Sequence, residues 1–428
     1  MAQGFTTLGQ QIMAYSEPVV IASDQSELPV GFRDSGNLDG FFRLRTSSPE
    51  TLFDSKQISD KQPLFWDDQL VSGAGGASTY NANQASTTLS VANLTAAVRV
   101  RQTYRWFNYQ PGKSQLVIMT GVWGTAGTGI TKRIGQFEAN NGLFFEQVST
   151  GMGIVVRTKT SGVVVDNRVA QASWNVDTLD GNGSSGINLD YTKTQIMFID
   201  YEWLGVGRVR FGWFVNGVPY VCHEVLNTNV LSLVYMSSPN LPLRYEIVND
   251  GTGGVNSLTH ICSTVISEGG FAQTGIVRGT NRGATPIATN NNASIYPVIA
   301  MRLNSSYLHA TVKPVNFSLI CTSTSAYNWM LVLNPTVVGV AFSFSNVTNS
   351  AVDVDVARLN TTTLTGGTVL ASGTSLQTND GAATSNLPTD FALGSTIAGV
   401  SDIVVLAVQR VTGTSETFYA SLNWREQV

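Results

Sequence analysis

In the stretch GRVRFGWFVNGVPYVCHEV, residues 207–225, apolar and polar side chains alternate on both sides of an Asn-Gly pair. Period-two alternation sends successive side chains to opposite faces of a strand, and Asn-Gly accepts the positive φ angles of a two-residue type I′ turn. A two-residue loop fixes the register. It sets Val215 opposite Val218, Trp213 opposite Tyr220 and Phe211 opposite Cys222, with Arg210 facing His223 on the wetter side. Pro219 has no N–H to donate, so the second strand is expected at a sheet edge or beside a local gap.

The same pattern recurs through the chain. In ETFYASLNWRE, Phe418, Ala420, Leu422 and Trp424 alternate with Tyr419, Ser421, Asn423 and Arg425, and DIVVLAVQRV precedes it across the turn Thr412-Gly413-Thr414-Ser415. AVDVDVARL alternates Val352, Val354 and Val356 with Asp353 and Asp355, which reads as a strand with a solvated acidic face. VVGVAFSFSNV does likewise with Val340, Phe342 and Phe344. Short strands separated by Gly/Asn/Ser/Thr turns, with helical periodicity almost absent, define an all-β chain of sandwich or barrel type. The expected architecture is two antiparallel β-sandwich domains of jelly-roll or concanavalin-like form, preceded by an extended N-terminal arm. The boundaries are an arm or docking segment over 1–65, a first sandwich over 66–275, a connector over 276–294 and a second sandwich over 295–428. No repeat of 20–50 residues is present, which excludes a solenoid or propeller.

Composition narrows the function. Charged residues are 13% of the 428, about half the usual share, and the net charge is −4 with no basic stripe. Nucleic-acid binding therefore has no electrostatic footprint. No run reaches the roughly 18 apolar residues of a membrane helix, and MAQGFTTLGQQ lacks the parts of a secretory signal. Cys222, Cys262 and Cys321 are distant and odd in number, and read as ordinary thiols from a reducing cytoplasm rather than a disulfide framework.

Catalytic motifs are scarce. The histidines are His223, His260 and His309; His223-Glu224 sits in a strand and lacks the second histidine of a zinc helix. No nucleophile elbow or phosphate-binding loop occurs. Paired carboxylates of a glycosidase could be Asp200 and Glu202 in FIDYEW, which share a strand face, or Asp177 and Asp180 in NVDTLDGNGSSG. The Asp180-Gly181-Asn182-Gly183 loop reads as a plain turn better than as a calcium loop. Neither a catalytic residue, a cofactor nor a metal site is assigned. In TYRWFNYQPG, Tyr104 and Trp106 are expected on one strand face; exposed, they and Tyr109 could stack on sugar rings, and buried they are core. Trp123, Trp174, Trp203 and Trp213 read as core.

PVVIASDQSELPV, residues 18–30, resembles the short N-terminal phrase of many tailed-bacteriophage structural proteins. The blocks RIGQFEANNGLFFEQ, DNRVAQASWNVDTLDGNGSSGINLDYTKTQIMFIDYEWLGVGRVRFGWFVNG and VISEGG resemble a type of phage virion protein, while VRFGWFVNGVPYVCHE is similar to a lectin-type strand pair in fold alone. The resemblance covers roughly a third of the chain, and nothing after residue 275 adds to it. It implies a virion component made in the bacterial cytoplasm: a fibre, spike, collar or capsid-decoration subunit. Such a subunit partners with itself as a homo-oligomer, a trimer by analogy, and with other virion proteins. Host surface glycan is a candidate ligand, without nucleic acid or membrane insertion. Pro18, Val19, Val20 and Ile21 would form an assembly arm that adds a strand to a neighbour's sheet edge, the alternative being that the segment folds back onto its own first domain. The alternatives are a polysaccharide depolymerase using Asp200 and Glu202, or a non-viral carbohydrate-binding surface module.

Overall fold

The structure is a computed structural model, and it describes residues 48–322, 325–376, 383–387 and 391–428. The arm residues Pro18, Val19, Val20 and Ile21 lie outside the described residues.

Among the described residues the chain is all-β, with every strand pairing antiparallel, and its sheets pack as two sandwiches. Sheet A runs in the order Val218–Val225, Val209–Val215, Thr194–Tyr201, Gln115–Val122, Asn256–Ser267, Ser86–Val91 and Ala77–Asn81, and Glu50–Lys56 also pairs with Asn256–Ser267. Sheet B runs Val165–Ala170, Gly151–Thr158, Gly142–Val148, Ile130–Phe137, Leu243–Asn249, Ala97–Thr103 and Trp66–Gly73. Their inner faces share one core, in which Trp213 lies 4.4 Å from Phe145 and 5.2 Å from Trp174 between ring centroids. Trp123, Trp174 and Trp213 are buried and Trp203 packs partly buried against the same core, as their sequence setting implies.

In the second sandwich, sheet C holds Ile276–Asn281, Glu416–Gln427, Thr311–Cys321 and Ala383–Asn386, with Ile287–Thr289 also pairing with Glu416–Gln427. Sheet D runs Ser345–Asn346, Val352–Asp355, Tyr296–Leu303, Ile403–Arg410, Ala326–Leu333 and Thr368–Leu376. Phe418, Ala420, Leu422 and Trp424 all point into this core, as the alternation requires. The turn before them carries the chain from sheet D to sheet C. Two expected boundaries move: the segment 1–65 contributes a strand to sheet A, and the connector 276–294 contributes two to sheet C.

The Asn216-Gly217 hairpin forms with both residues at positive φ, at 51° and 81°. Val215 pairs with Val218 and Trp213 with Tyr220, but the register shifts beyond Gly212, so Phe211 faces His223 rather than Cys222 and Arg210 faces Glu224. The cause lies outside the hairpin. The Val218–Val225 strand is an edge, as Pro219 implies, and the segment 175–177 caps it. Val176 and Asp177 donate to the Cys222 carbonyl, each at 3.1 Å, and Asn175 Oδ1 accepts from Glu224 N at 2.9 Å. A bulge at Cys222 lets that carbonyl leave the ladder, and the edge is closed to further pairing there.

Two other readings are corrected. Asp353 and Asp355 are buried, not solvated; Arg302 pairs with Asp353 at 3.4 Å and Arg358 with Asp355 at 2.9 Å, so the cost of burial is met by opposite charge. The run from Val340 to Phe344 is not a strand. The chain turns at Gly339, whose φ is 98°, and Phe344 instead lies under the Arg302 guanidinium at 4.4 Å.

Candidate functional site

The glycan-contact candidates are spread over three environments. The strand Ala97–Thr103 ends before them, so Tyr104 and Trp106 lie in the following bend and not on one strand face. Tyr109 is 5% exposed and belongs to the first core, where it stacks on Tyr201 at 6.1 Å between centroids. Trp106 is half-buried. Tyr104 is also half-buried and lies where the two sandwiches meet. Its carbonyl accepts from Ser395 N at 2.9 Å, and the neighbouring Asp67 Oδ2 accepts from Ile397 N at 2.7 Å. Burial, then the charge of Asp67, raises the Tyr104 hydroxyl above its ordinary range. A cavity of about 330 Å³ opens at this junction, lined by Tyr104 and Arg105 with Phe65 from one side and by Asn334, Phe391 and Asp402 from the other.

The candidate carboxylates are placed differently. Asp200 lies on the outer face of sheet A, directly across from Arg210, and the two are ion-paired. Asp200 and Glu202 are 5% and 4% exposed, so neither presents a free oxygen surface to a bulky polysaccharide. Glu202 follows the end of the strand, and its backbone takes up the Tyr235 hydroxyl at 3.0 Å. Asp177 and Asp180 organise their own loop. Asp177 accepts from Leu179 N at 2.9 Å, Ser185 N at 2.7 Å and Ser184 Oγ at 3.0 Å, which together hold its carboxyl below the usual range against the opposing effect of burial. Asp180 accepts from Thr178 Oγ1 at 2.6 Å and Asn182 N at 3.0 Å. These are the bonds of Asx turns. Among the described residues no group of three His, Cys, Asp or Glu side chains could hold a metal ion.

Sequence reasoning missed two polar assemblies. On the outer face of sheet B, Arg168, Glu146, Arg133, Glu246 and Arg244 form a ladder of alternating charge, with Arg168 to Glu146 at 2.9 Å, Arg133 to Glu146 at 2.8 Å and Arg133 to Glu246 at 2.5 Å. The guanidinium groups of Arg157 and Arg244 cover Phe144 and Phe137, at 5.1 and 5.3 Å from the ring centroids. Arg168, Glu146 and Arg133 lie on three different strands and Glu246 with Arg244 on a fourth, and only pairing aligns them. The second assembly is in the core. Arg101 Nε donates to His260 Nδ1 at 3.1 Å, and His260 Nε2 meets Ser263 Oγ at 3.2 Å. Ser263 in turn meets the Tyr245 hydroxyl at 3.0 Å.

No family model matches the chain, and no curated protein does. Solved structures similar to it include a β-glucanase of Bacillus licheniformis, at 11% identity and TM-score 0.32 over 52% of this chain and 98% of that one. The CBM2 module of the evolved Dit of Lactobacillus casei BL23 phage J-1 matches at 9% identity and TM-score 0.33 over 51% and 96%. A legume lectin-like domain from Entamoeba histolytica matches at 11% and 0.30 over 50% and 96%. Scores at this level carry no argument about this chain. Its function has to be read from its own residues.

Proposed function

We propose that the chain is a structural component of a tailed-phage particle, a non-catalytic subunit that assembles with copies of itself and with other virion proteins. The observation that carries the assembly is an exposed apolar surface on the first sandwich. Leu204, Leu226, Val230, Leu231, Leu233 and Val234 are all exposed, Val230 at 71% and Leu233 at 66%. The loop that presents them is held in place: Tyr235 N donates to Gly205 O at 2.8 Å, and Asn227 Nδ2 to Gly207 O at 2.7 Å. Contiguous apolar surface on a fixed loop is the usual mark of a protein contact.

Residues 225–243 contain no charged side chain, so nothing in this loop selects a charged partner. A second copy of the chain offers a matching uncharged surface, and a net charge of −4 over 428 residues sets little repulsion between copies. The open edge of sheet B, Val165–Ala170, is the second element of the reading. Its entry residues Val163, Val164 and Val165 are exposed, and it would receive the Pro18–Ile21 segment of a neighbouring copy as an added strand. The resemblance of residues 18–30 to phage structural proteins supports the setting.

The test is an image of purified phage particles labelled with an antibody to this chain. The label is expected at one repeated position on the particle. Particles without label, or release of reducing ends when the purified chain meets host capsule, would replace this reading with a non-viral module or a depolymerase.

A further inference from the structure

The cavity at the junction of the sandwiches is built from both. Phe65, Tyr104 and Arg105 come from the first, and Asn334, Phe391 and Asp402 from the second. Pockets for small ligands occur preferentially at such junctions, and about 330 Å³ lies at the small end of their range, room for one ring-sized unit rather than a chain.

The lining sets the chemistry of that unit. Four aromatic side chains, Phe53, Phe65, Tyr104 and Phe391, offer apolar surface of the kind that stacks on a ring. Asp402 is held in place by Asn334 Nδ2 on one oxygen at 2.8 Å and by Gly394 N on the other at 2.9 Å. A carboxyl group has about four acceptor positions, so this anchored group retains capacity for a hydroxyl donor. Burial, opposed by these two bonds, raises its pKa above the ordinary carboxylate range. Arg105 places a guanidinium in the same lining, fixed by donation to Leu52 O at 2.9 Å. One acidic and one basic group leave the site without net charge. An anion would meet Asp402 and the nearby Asp67, and a cation would meet Arg105. A purely aliphatic ligand would strip water from Asn334 and Asp402 and give nothing back.

We infer that this cavity binds one neutral sugar ring, such as a terminal pyranose unit of a surface glycan. The inference goes beyond the assembly role proposed above and takes from the phage resemblance only the source of the sugar, a host surface glycan. Because both sandwiches line the site, an occupied cavity ties them together. Binding therefore raises the unfolding temperature as well as giving a contact signal.

The experiment is saturation-transfer NMR on the full chain with glucose, galactose, mannose and N-acetylglucosamine at millimolar concentration. Sialic acid serves as the anionic arm and choline as the cationic one. At least one neutral sugar is expected to receive saturation and to raise the unfolding temperature. Phe65→Ala removes a half-exposed ring, and is expected to weaken binding roughly three- to tenfold, the size of one lost stacking contact. Asp402→Asn should also weaken it; if that variant misfolds, Phe65→Ala and Phe391→Ala still decide. No signal from any neutral sugar, a signal unchanged in both phenylalanine variants, or binding of choline or sialic acid alone overturns the inference. Failure here leaves incorporation into particles untouched, and failure of incorporation leaves sugar binding measurable, so the two readings fall separately.

Discussion

His260 is 0% exposed and its ring stacks on Tyr245 at 4.1 Å, with Trp66 at 4.5 Å. Arg101 donates to its Nδ1, so the neutral imidazole must carry its proton on Nε2, toward Ser263. A second proton would set an N–H on Nδ1 against the Arg101 N–H. Burial, and then the Arg101 charge, accordingly push the pKa of His260 well below its ordinary 6.5. The unfolded chain takes up this proton below pH 6.5 while the folded chain refuses it. Stability is therefore fully present above pH 6.5 and is lost as pH falls toward the folded value. The loss is up to about 1.4 kcal/mol for each pH unit between 6.5 and the folded value. That is a large part of the ~5–15 kcal/mol that a domain possesses. Urea unfolding followed by tryptophan fluorescence at a series of pH values reads it, with Trp66 as a local reporter. His260→Gln can keep both hydrogen bonds but cannot titrate. It should be less stable than the parent at pH 7, through lost stacking, and its stability should fall less steeply below pH 6.5, by up to about 1.4 kcal/mol per pH unit. His223 and His309 are also shifted down by burial, but they remain in both proteins and cancel in the difference. Parallel profiles for the two proteins would refute a neutral His260.

Gly135→Ala would place a Cβ 2.3 Å from Leu143 O and 2.5 Å from Phe144 Cα, both on the paired strand, and should cost about 1–3 kcal/mol in thermal unfolding. Lys132 is 0% exposed, donates to Thr125 O at 3.0 Å and to Trp123 O, and burial lowers its pKa to about 8. Between that value and its ordinary 10.5 the unfolded chain holds the proton and the folded chain does not. Stability in the parent should thus gain about 2 kcal/mol relative to Lys132→Met from pH 8 to 9.5, as read by urea midpoints. Deleting residues 1–35 should leave the circular dichroism and unfolding of the sandwiches intact while abolishing incorporation into particles; normal incorporation would refute the arm.

Local chemistry made some of this legible in the sequence. The alternation from Phe418 to Trp424 reports its buried face correctly, and Asn216-Gly217 reports its turn, because side-chain period and φ preference are properties of neighbours. Effects carried by distant partners were not legible. The bulge at Cys222 depends on Asn175 to Asp177 reaching the edge, 45 or more residues earlier. Asp353 and Asp355 look like a wet face until Arg302 and Arg358 are placed beside them. Tyr104, Trp106 and Tyr109 form one aromatic phrase in the chain, yet one reaches the junction cavity and another the core, because the strand stops at Thr103. The cavity itself joins residues more than 290 positions apart, and no spacing rule could reach it.

If copies of this chain lock together, the mass of the purified chain in solution shows it. Sedimentation equilibrium should give a multiple of 45.9 kDa at micromolar concentration. Lysine at Val230 and Leu233 should shift that mass toward the single chain without altering the fold. A parent protein that stays at 45.9 kDa across the accessible concentration range would mean that the copies do not assemble.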